Sequence, residues 1–251
     1  MATKIMHILI ANFGNDSIAL IQWAFEQKLK DVTVLYVETG WAAPEWPARV
    51  EKCVQWAQSL GMHFVSLKPK QNFTELMHAR GEFPTRKFQW CASTLKGVTI
   101  NQWLDEFDFE GRATVLLAHR RSSSIVRAKM PEKVDSSEHY GNRTVWHPLF
   151  EHSPEQRDNL IKKAGFKVLT HRSLECDPCV NSDMNDVLRL SDSVVERTAA
   201  LEQALDQQLL DPTIYHGVKD LSQVARNSYT TPRKCLEIFD MGCGSPYGCG
   251  M

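Results

Sequence analysis

Along the chain, short unbroken apolar runs alternate with stretches whose apolar residues recur every three or four positions. The first run, Ile8-Leu9-Ile10-Ala11, reads as a buried strand. It stops in the polar loop of Asn12, Phe13, Gly14, Asn15, Asp16 and Ser17, and the pattern resumes with Ile18, Ile21, Phe25 and Leu29 at helical spacing. Residues 31–37 predict a second buried strand, so the chain opens with a βαβ unit. A helix through Val50, Val54, Ala57 and Leu60 stops at Gly61, and residues 63–67 predict a third strand. Residues 69–89 are polar and broken by Gly81 and Pro84, which predicts a loop holding a short helix over 74–80. After a helix through Ile100, Trp103 and Leu104, residues 113–118 and 145–150 predict a fourth and a fifth strand. Ser153-Pro154 then opens a helix that ends near Gly165.

This alternation predicts an α/β, Rossmann-like parallel sheet with helices on both faces and ligands at the carboxyl ends of its strands. Val187, Leu190, Val194, Leu201, Leu205 and Leu209 predict a long amphipathic helix or a helix pair. The chain therefore divides into a sheet domain over residues 1–182 and, over 183–251, a helical appendage with a cysteine-containing tail.

The polar residues cluster where such a fold places chemistry. A strand feeding a helix through a glycine-containing loop leaves free N–H groups at the positive end of the helix dipole, a phosphate cradle, although Asn-Asp-Ser is equally the pattern of an ordinary helix N-cap. Glu38, Thr39 and Gly40 end the second strand. His119-Arg120-Arg121-Ser122-Ser123-Ser124, with Arg127, follow the fourth and suit anionic oxygens, since guanidinium offers paired donors.

Composition narrows the class. At 251 residues the chain can bury a sizeable core, and 24% charged residues with a net charge of -1 give no overall basic field for nucleic acid. The N-terminus lacks a signal-peptide pattern and no apolar run reaches membrane-span length, so a cytoplasmic protein with no membrane partner is expected. Seven cysteines in a reducing compartment point to metal or redox chemistry rather than disulfides. Cys176-Asp177-Pro178-Cys179 offers two thiolates to one metal centre, which needs further ligands. Cys243 and Cys249 flank a Ser-Pro-Tyr-Gly turn that argues for something tying the tail down. These two spaced pairs alone favour Cys176, Cys179, Cys243 and Cys249 as one set.

Taken in order, residues 5–180 resemble the phosphoadenylyl-sulfate (PAPS) reductase family of the adenine-nucleotide alpha-hydrolase-like (HUP-type) superfamily. Residues 12–17 are similar to its SGGxDS phosphate loop, Val37-Glu38-Thr39-Gly40 to its D-T-G strand end, and residues 90–96 to its W-C-x-x-x-L-K segment. Residues 120–127 are similar to its R-x-x-S-x-x-R loop, and His147-Pro148-Leu149-Phe150 with residues 153–157 to its P-L-x-x-W-[ST]-x-x-D-V segment. Departures stand beside these matches. Asn12 and Phe13 replace Ser and Gly, Glu38 replaces Asp, His152 stands where Trp is usual, and Ala92 follows Cys91 where iron-sulfur reductases carry a second Cys. The reductases' catalytic tail Glu-Cys-Gly-Leu-His is absent, and the tail instead resembles that of phage and DNA-modification members.

The resemblance implies an adenine nucleotide, ATP or a sulfonucleotide, held by Asn12, Phe13, Gly14, Asn15, Asp16 and Ser17. Lys96, Arg121, Ser124 and Arg127 would add anion contacts, and Glu38, Thr39 and Gly40 would border the nucleoside. It also implies a [4Fe-4S] cluster on four of Cys91, Cys176, Cys179, Cys243 and Cys249. Of these it favours Cys91, Cys176, Cys179 and one tail cysteine; zinc is the competing occupant. Whichever of Cys91, Cys243 and Cys249 is not a ligand would be the reactive thiol. The expected activity is sulfur transfer, with ATP adenylylating an acceptor and releasing pyrophosphate. The alternatives are a sulfonucleotide reductase releasing sulfite and a non-catalytic regulatory module. A sulfur-donor protein or thioredoxin, and a nucleic-acid acceptor, are the further partners implied; the oligomeric state stays open.

Overall fold

The computed structural model describes residues 6–210 and 246–247. In chain order it runs β1 (His7–Ile10), α1 (Asn15–Glu26), β2 (Val32–Val37), α2 (Trp46–Ser59), β3 (His63–Leu67) and α3 (Phe73–Arg80). A helical run over residues 90–107 comes next, made of α4 (Trp90–Ala92), a π-helical stretch (Ser93–Val98) and α5 (Thr99–Phe107). Then come β4 (Thr114–Leu116), α6 (Ile125–Ala128), β5 (Lys133–Ser137), β6 (Arg143–Trp146), α7 (Pro154–Lys163), α8 (Met184–Val187) and α9 (Asp192–Leu205).

The strands form one six-stranded sheet in the order β3-β2-β1-β4-β6-β5, parallel except for the β5–β6 pair. Strand pleating sends alternate residues to opposite faces, and the core divides accordingly. Leu9, Val34, Tyr36 and Leu116 pack under α1, α2 and α7 on one face. Ile8, Ile10, Leu35, Val37 and Val115 meet Ile100 and Leu104 of α5 on the other. Nearly continuous apolar strands are what burial on both faces requires, and all six residues of β2 are buried.

Local signals end the elements where chemistry dictates. Asn72 and Ser153 each close a reciprocal capping box at the starts of α3 and α7, and Gly81 takes a left-handed φ of 69° just past α3. The structure also corrects the strand count. A sixth strand, β5, lies at the edge of the sheet with mostly exposed residues, and its sequence, Lys-Val-Asp-Ser-Ser, carries no apolar run to announce it. The β6 strand ends at Trp146, and His147 to Phe150 turn away instead of extending it.

A further apolar cluster joins Phe73, Leu76, Met77 and Trp41 to Val187, Val195, Leu201 and Leu209, so the helices after residue 182 pack on the α3 side of the site. Among the described residues no helix is long and apolar enough to cross a membrane.

Two tail residues lie against the body. The Tyr140 hydroxyl donates to the Pro246 carbonyl (2.7 Å), and the Tyr247 ring packs near Tyr140 and His139. A Cβ built on Gly97 would sit 2.6–2.9 Å from three atoms of the Tyr247 ring. Gly97 is therefore a close-approach glycine rather than a turn glycine. Gly97→Ala and Tyr247→Ala are each expected to lower stability by about 1–3 kcal/mol. Because both remove one contact, the double variant should lose less than the sum in urea unfolding.

Candidate functional site

In the sheet order, the neighbours of β1 run off in opposite directions, β2 to one side and β4 to the other. That divergence places a crevice beyond the carboxyl ends of β1 and β4. Residues 12–17 and 119–127 border it.

The loop after β1 is already knitted together by its own side chains. The Asn12 Oδ1 accepts from the Gly14 N–H (2.9 Å) and from the Ser17 hydroxyl (2.6 Å), while the Ser17 Oγ accepts from the Asn12 N–H (3.1 Å). Asn15 exchanges two bonds of 2.9 Å with the backbone of Leu169. Phe13 sits at φ 57°, a left-handed conformation that a bulky residue adopts only under constraint. The constraint is its fully buried ring, packed against Tyr36 and Phe64. Gly14 lies so near Ser173 that a Cβ would come within 3.0 Å of it.

The charge at the loop comes largely from residues outside it. Asp16 is buried against Arg120 (Nε to Oδ1, 2.9 Å), with Arg157 at 3.6 Å. Arg49 donates from Nε to the Phe13 carbonyl (2.8 Å), and its buried Nη2 has no partner. Arg121, by contrast, turns outward to the exposed Glu151 and lies over the Phe150 ring. Ser124 caps α6 by accepting from the Arg127 N–H (3.1 Å), and the guanidinium of Arg127 is buried near Ser123.

The second strand end meets the two-cysteine loop. Residues 174–178 run beside residues 39–43 through a parallel bridge of Trp41 with Cys176, and through Ala43 N–H to Leu174 O (2.9 Å) and Asp177 N–H to Trp41 O (2.8 Å). The Trp41 indole donates to Pro178 O (3.0 Å), and the Thr39 hydroxyl bonds Glu175 O (3.0 Å) and lies 3.5 Å from the Cys176 Sγ. Arg197 of α9 locks the crossing by donating to the carbonyls of both Trp41 and Asp177 while lying over the Trp41 ring. Gly40, at φ 75°, is pressed against Asn72, whereas Glu38 points out to Lys68.

One cavity is lined by Cys91, Cys176 and Cys179 together with Thr39, Lys96 and Glu175. Lys96 and Glu175 form a buried ion pair there. Burial, then the Glu175 carboxylate, push the Cys176 thiol well above its ordinary value, and burial pushes the Asp177 carboxyl up to about 6. Cys53 is a core residue on α2, its thiol raised by burial to about 11. Three thiols around one cavity fit the donor chemistry of an iron-sulfur or zinc centre. Among the described residues, however, no three His, Cys, Asp or Glu side chains converge as a metal site. Cys243 and Cys249 lie outside the described residues.

Sequence reading alone passes over Arg49, Glu175 and Arg197, and it assigns Arg120 to anionic oxygens, where the structure pairs it with Asp16. Arg120 differs from Arg121 only in which side of the chain it leaves, and Glu175 pairs with a lysine 79 residues away. Removing one partner of a buried pair strands the other charge, so Arg120→Gln is expected to cost about 3–5 kcal/mol. Arg121→Gln should leave the urea midpoint unchanged. Denaturant unfolding of the two variants checks this.

The family model for the phosphoadenosine phosphosulfate reductase domain matches residues 6–170. No curated protein matches. Among solved structures, the U34-tRNA thiolase NcsA from Methanococcus maripaludis, with its [4Fe-4S] cluster, is 13% identical at a TM-score of 0.52, covering 97% of this chain and 77% of that one. A PAPS reductase from Candida auris is 16% identical at a TM-score of 0.48, covering 66% and 76%. An NH3-dependent NAD synthetase from Campylobacter jejuni is 13% identical at 0.44, covering 94% and 91%. The six-stranded, mostly parallel sheet is thus of the Rossmann-like HUP type, and with the family model spanning residues 6–170 the chain belongs to the phosphoadenosine phosphosulfate reductase domain family.

Proposed function

We propose that this protein is an adenine-nucleotide-dependent sulfur-transfer enzyme. The observation that carries the reading is the shared cavity: Thr39 and Lys96, expected at the nucleotide, line the same space as Cys91, Cys176 and Cys179. On this reading, activation chemistry and sulfur chemistry would be adjacent. The tRNA thiolase of similar fold, with its [4Fe-4S] cluster, is consistent with that pairing.

ATP phosphates would sit on the loop of residues 12–17, their oxygens replacing the Asn12 amide oxygen as acceptor for the Gly14 N–H and the Ser17 hydroxyl. The unpartnered Nη2 of Arg49 and the buried Arg127 add positive charge for the phosphates. An acceptor oxygen attacks the α-phosphorus, forming a P–O bond as the α–β bridge breaks and pyrophosphate leaves. Loop donors stabilise the charge that develops on pyrophosphate. A sulfur nucleophile then forms a C–S bond at the activated carbon as the C–O bond to AMP breaks. Cys91, Cys176 and Cys179 with one of Cys243 and Cys249 would hold a [4Fe-4S] cluster, which supplies iron able to bind sulfur. The remaining tail cysteine is the candidate sulfur carrier: its persulfide would bond to carbon through the outer sulfur, and a thiol reductant would then break the S–S bond to the cysteine.

ATP is expected to bind the cluster-loaded protein at micromolar affinity, since several charge-assisted contacts of about 1.5–3 kcal/mol each suffice for that. Calorimetry that finds no heat with ATP, adenylyl sulfate or its 3'-phosphorylated form would overturn the nucleotide reading. Anaerobically purified protein should contain iron and lose most of it in Cys176→Ser, whereas colourless, zinc-bearing protein would reverse the cofactor assignment. Pyrophosphate release with nucleic-acid acceptors supports sulfur transfer. Sulfite release from a sulfonucleotide with thioredoxin would replace it by the reductase.

A further inference from the structure

The ends of β4 and β6 hold a pair of buried histidines that neither the loop chemistry nor the thiol cavity uses. His119 is 3% exposed, and neither of its ring nitrogens has a hydrogen-bond partner. It stacks on His147, with ring centroids 5.1 Å apart and planes 19° from parallel. His147 is itself 1% exposed; its Nδ1 is bonded to the Pro131 carbonyl (2.9 Å) and its Nε2 has no partner. The 2%-exposed Arg127 guanidinium, 3.3 Å from the Ser123 hydroxyl, acts electrostatically on both rings.

Buried polar atoms are normally satisfied, so three unpaired imidazole nitrogens in one cluster call for an occupant. A metal cation is disfavoured by the adjacent guanidinium. A tetrahedral oxyanion fits the unpaired nitrogens, because it offers acceptors to ring N–H groups, and its negative charge is compatible with the neighbouring guanidinium. We propose that His119, His147 and Arg127 form an oxyanion subsite for a phosphate or sulfate group, and that the imidazole pair takes up a proton as the group seats.

Charge balance supports the coupling. Without the anion, burial and then Arg127 and His147 hold His119 well below its ordinary value, so the ring is neutral near pH 7. For His147, burial dominates and Arg127 acts the same way, while Glu132, before β5, favours the charged ring. The negative charge of an incoming oxyanion favours the charged ring, and a solvent proton then converts an imidazole nitrogen from acceptor to donor. Affinity should therefore rise as pH falls through neutrality. The subsite deepens the nucleotide reading, on which it rests for its physiological ligand: it lies one and two strands along the sheet from the loop after β1.

The test is calorimetry of the full-length, cluster-loaded protein with sulfate, with inorganic phosphate and with ATP near pH 7, each in two buffers of different ionisation enthalpy. Sulfate carries no proton that titrates near neutrality, so any uptake it causes comes from the protein. Binding of sulfate or phosphate with net proton uptake, weakened about tenfold or more in His119→Gln or His147→Gln, supports the subsite, and whichever anion binds names the group. The proton count on unaltered protein needs no variant to fold. Failure of both anions to bind, binding without proton uptake, or unchanged affinity in both variants would overturn it. ATP that still binds in those cases leaves the nucleotide reading standing. Sulfate or phosphate binding with proton uptake, but no ATP binding, keeps the subsite and removes the nucleotide reading.

Discussion

The site depends on one backbone crossing, where residues 174–178 lie parallel to residues 39–43. A loop carrying two cysteines and a proline has no rigid position of its own, and here three backbone or indole bonds from Trp41 and Ala43 give it one. Each such bond contributes about 1 kcal/mol net, so the crossing is held by their joint action and by what covers them. Arg197 supplies that cover, reaching carbonyls on both segments and stacking on Trp41 at 4.3 Å. Helix α9 therefore does more than fill the apolar cluster beside α3, since it closes the clamp on the thiol loop.

Electrostatics within the site derive from pairing rather than from net charge. Asp16 is matched by Arg120 with Arg157 close by, and Lys96 is matched by Glu175. Ion pairs this deep cost desolvation that their attraction offsets only with good geometry, which fixes the side chains in one arrangement. The guanidiniums of Arg49 and Arg127 are held by hydrogen bonds to a carbonyl and a hydroxyl. Glu175 acts on two neighbours at once, pairing with Lys96 and raising the Cys176 thiol.

Much of the architecture was legible because it is written in local patterns. The apolar runs of β1 and β2, the helix start at Ser153-Pro154 and the break at Gly81 each act within a few residues. What escaped depends on distance or on direction. The β5 strand exists because the edge beside β6 accepts a partner, not because Lys133 to Ser137 demand to be a strand. Adjacent arginines, Arg120 and Arg121, part to opposite environments by backbone direction alone. The pairing of Lys96 with Glu175 has no trace in either residue's surroundings along the chain. The motif spacing did bring Cys91, Cys176 and Cys179 to one cavity, whereas Asn12 closing its own loop is visible only in three dimensions.

The π-helical stretch Ser93–Val98 gives the run of residues 90–107 a wider turn than its α-helical flanks. Such a turn is equivalent to one residue inserted into an α-helix, and it sets the angular phase between the helical segments on its two sides. Cys91 and Lys96 look into the thiol cavity while Gly97 meets Tyr247 on the sheet side. A one-residue deletion there would yield a regular α-helix whose two halves keep this phase, whereas winding the full-length run as an uninterrupted α-helix would turn them about 100° out of phase. The irregularity is thus a phase setting that lets a single rod serve two unrelated surfaces.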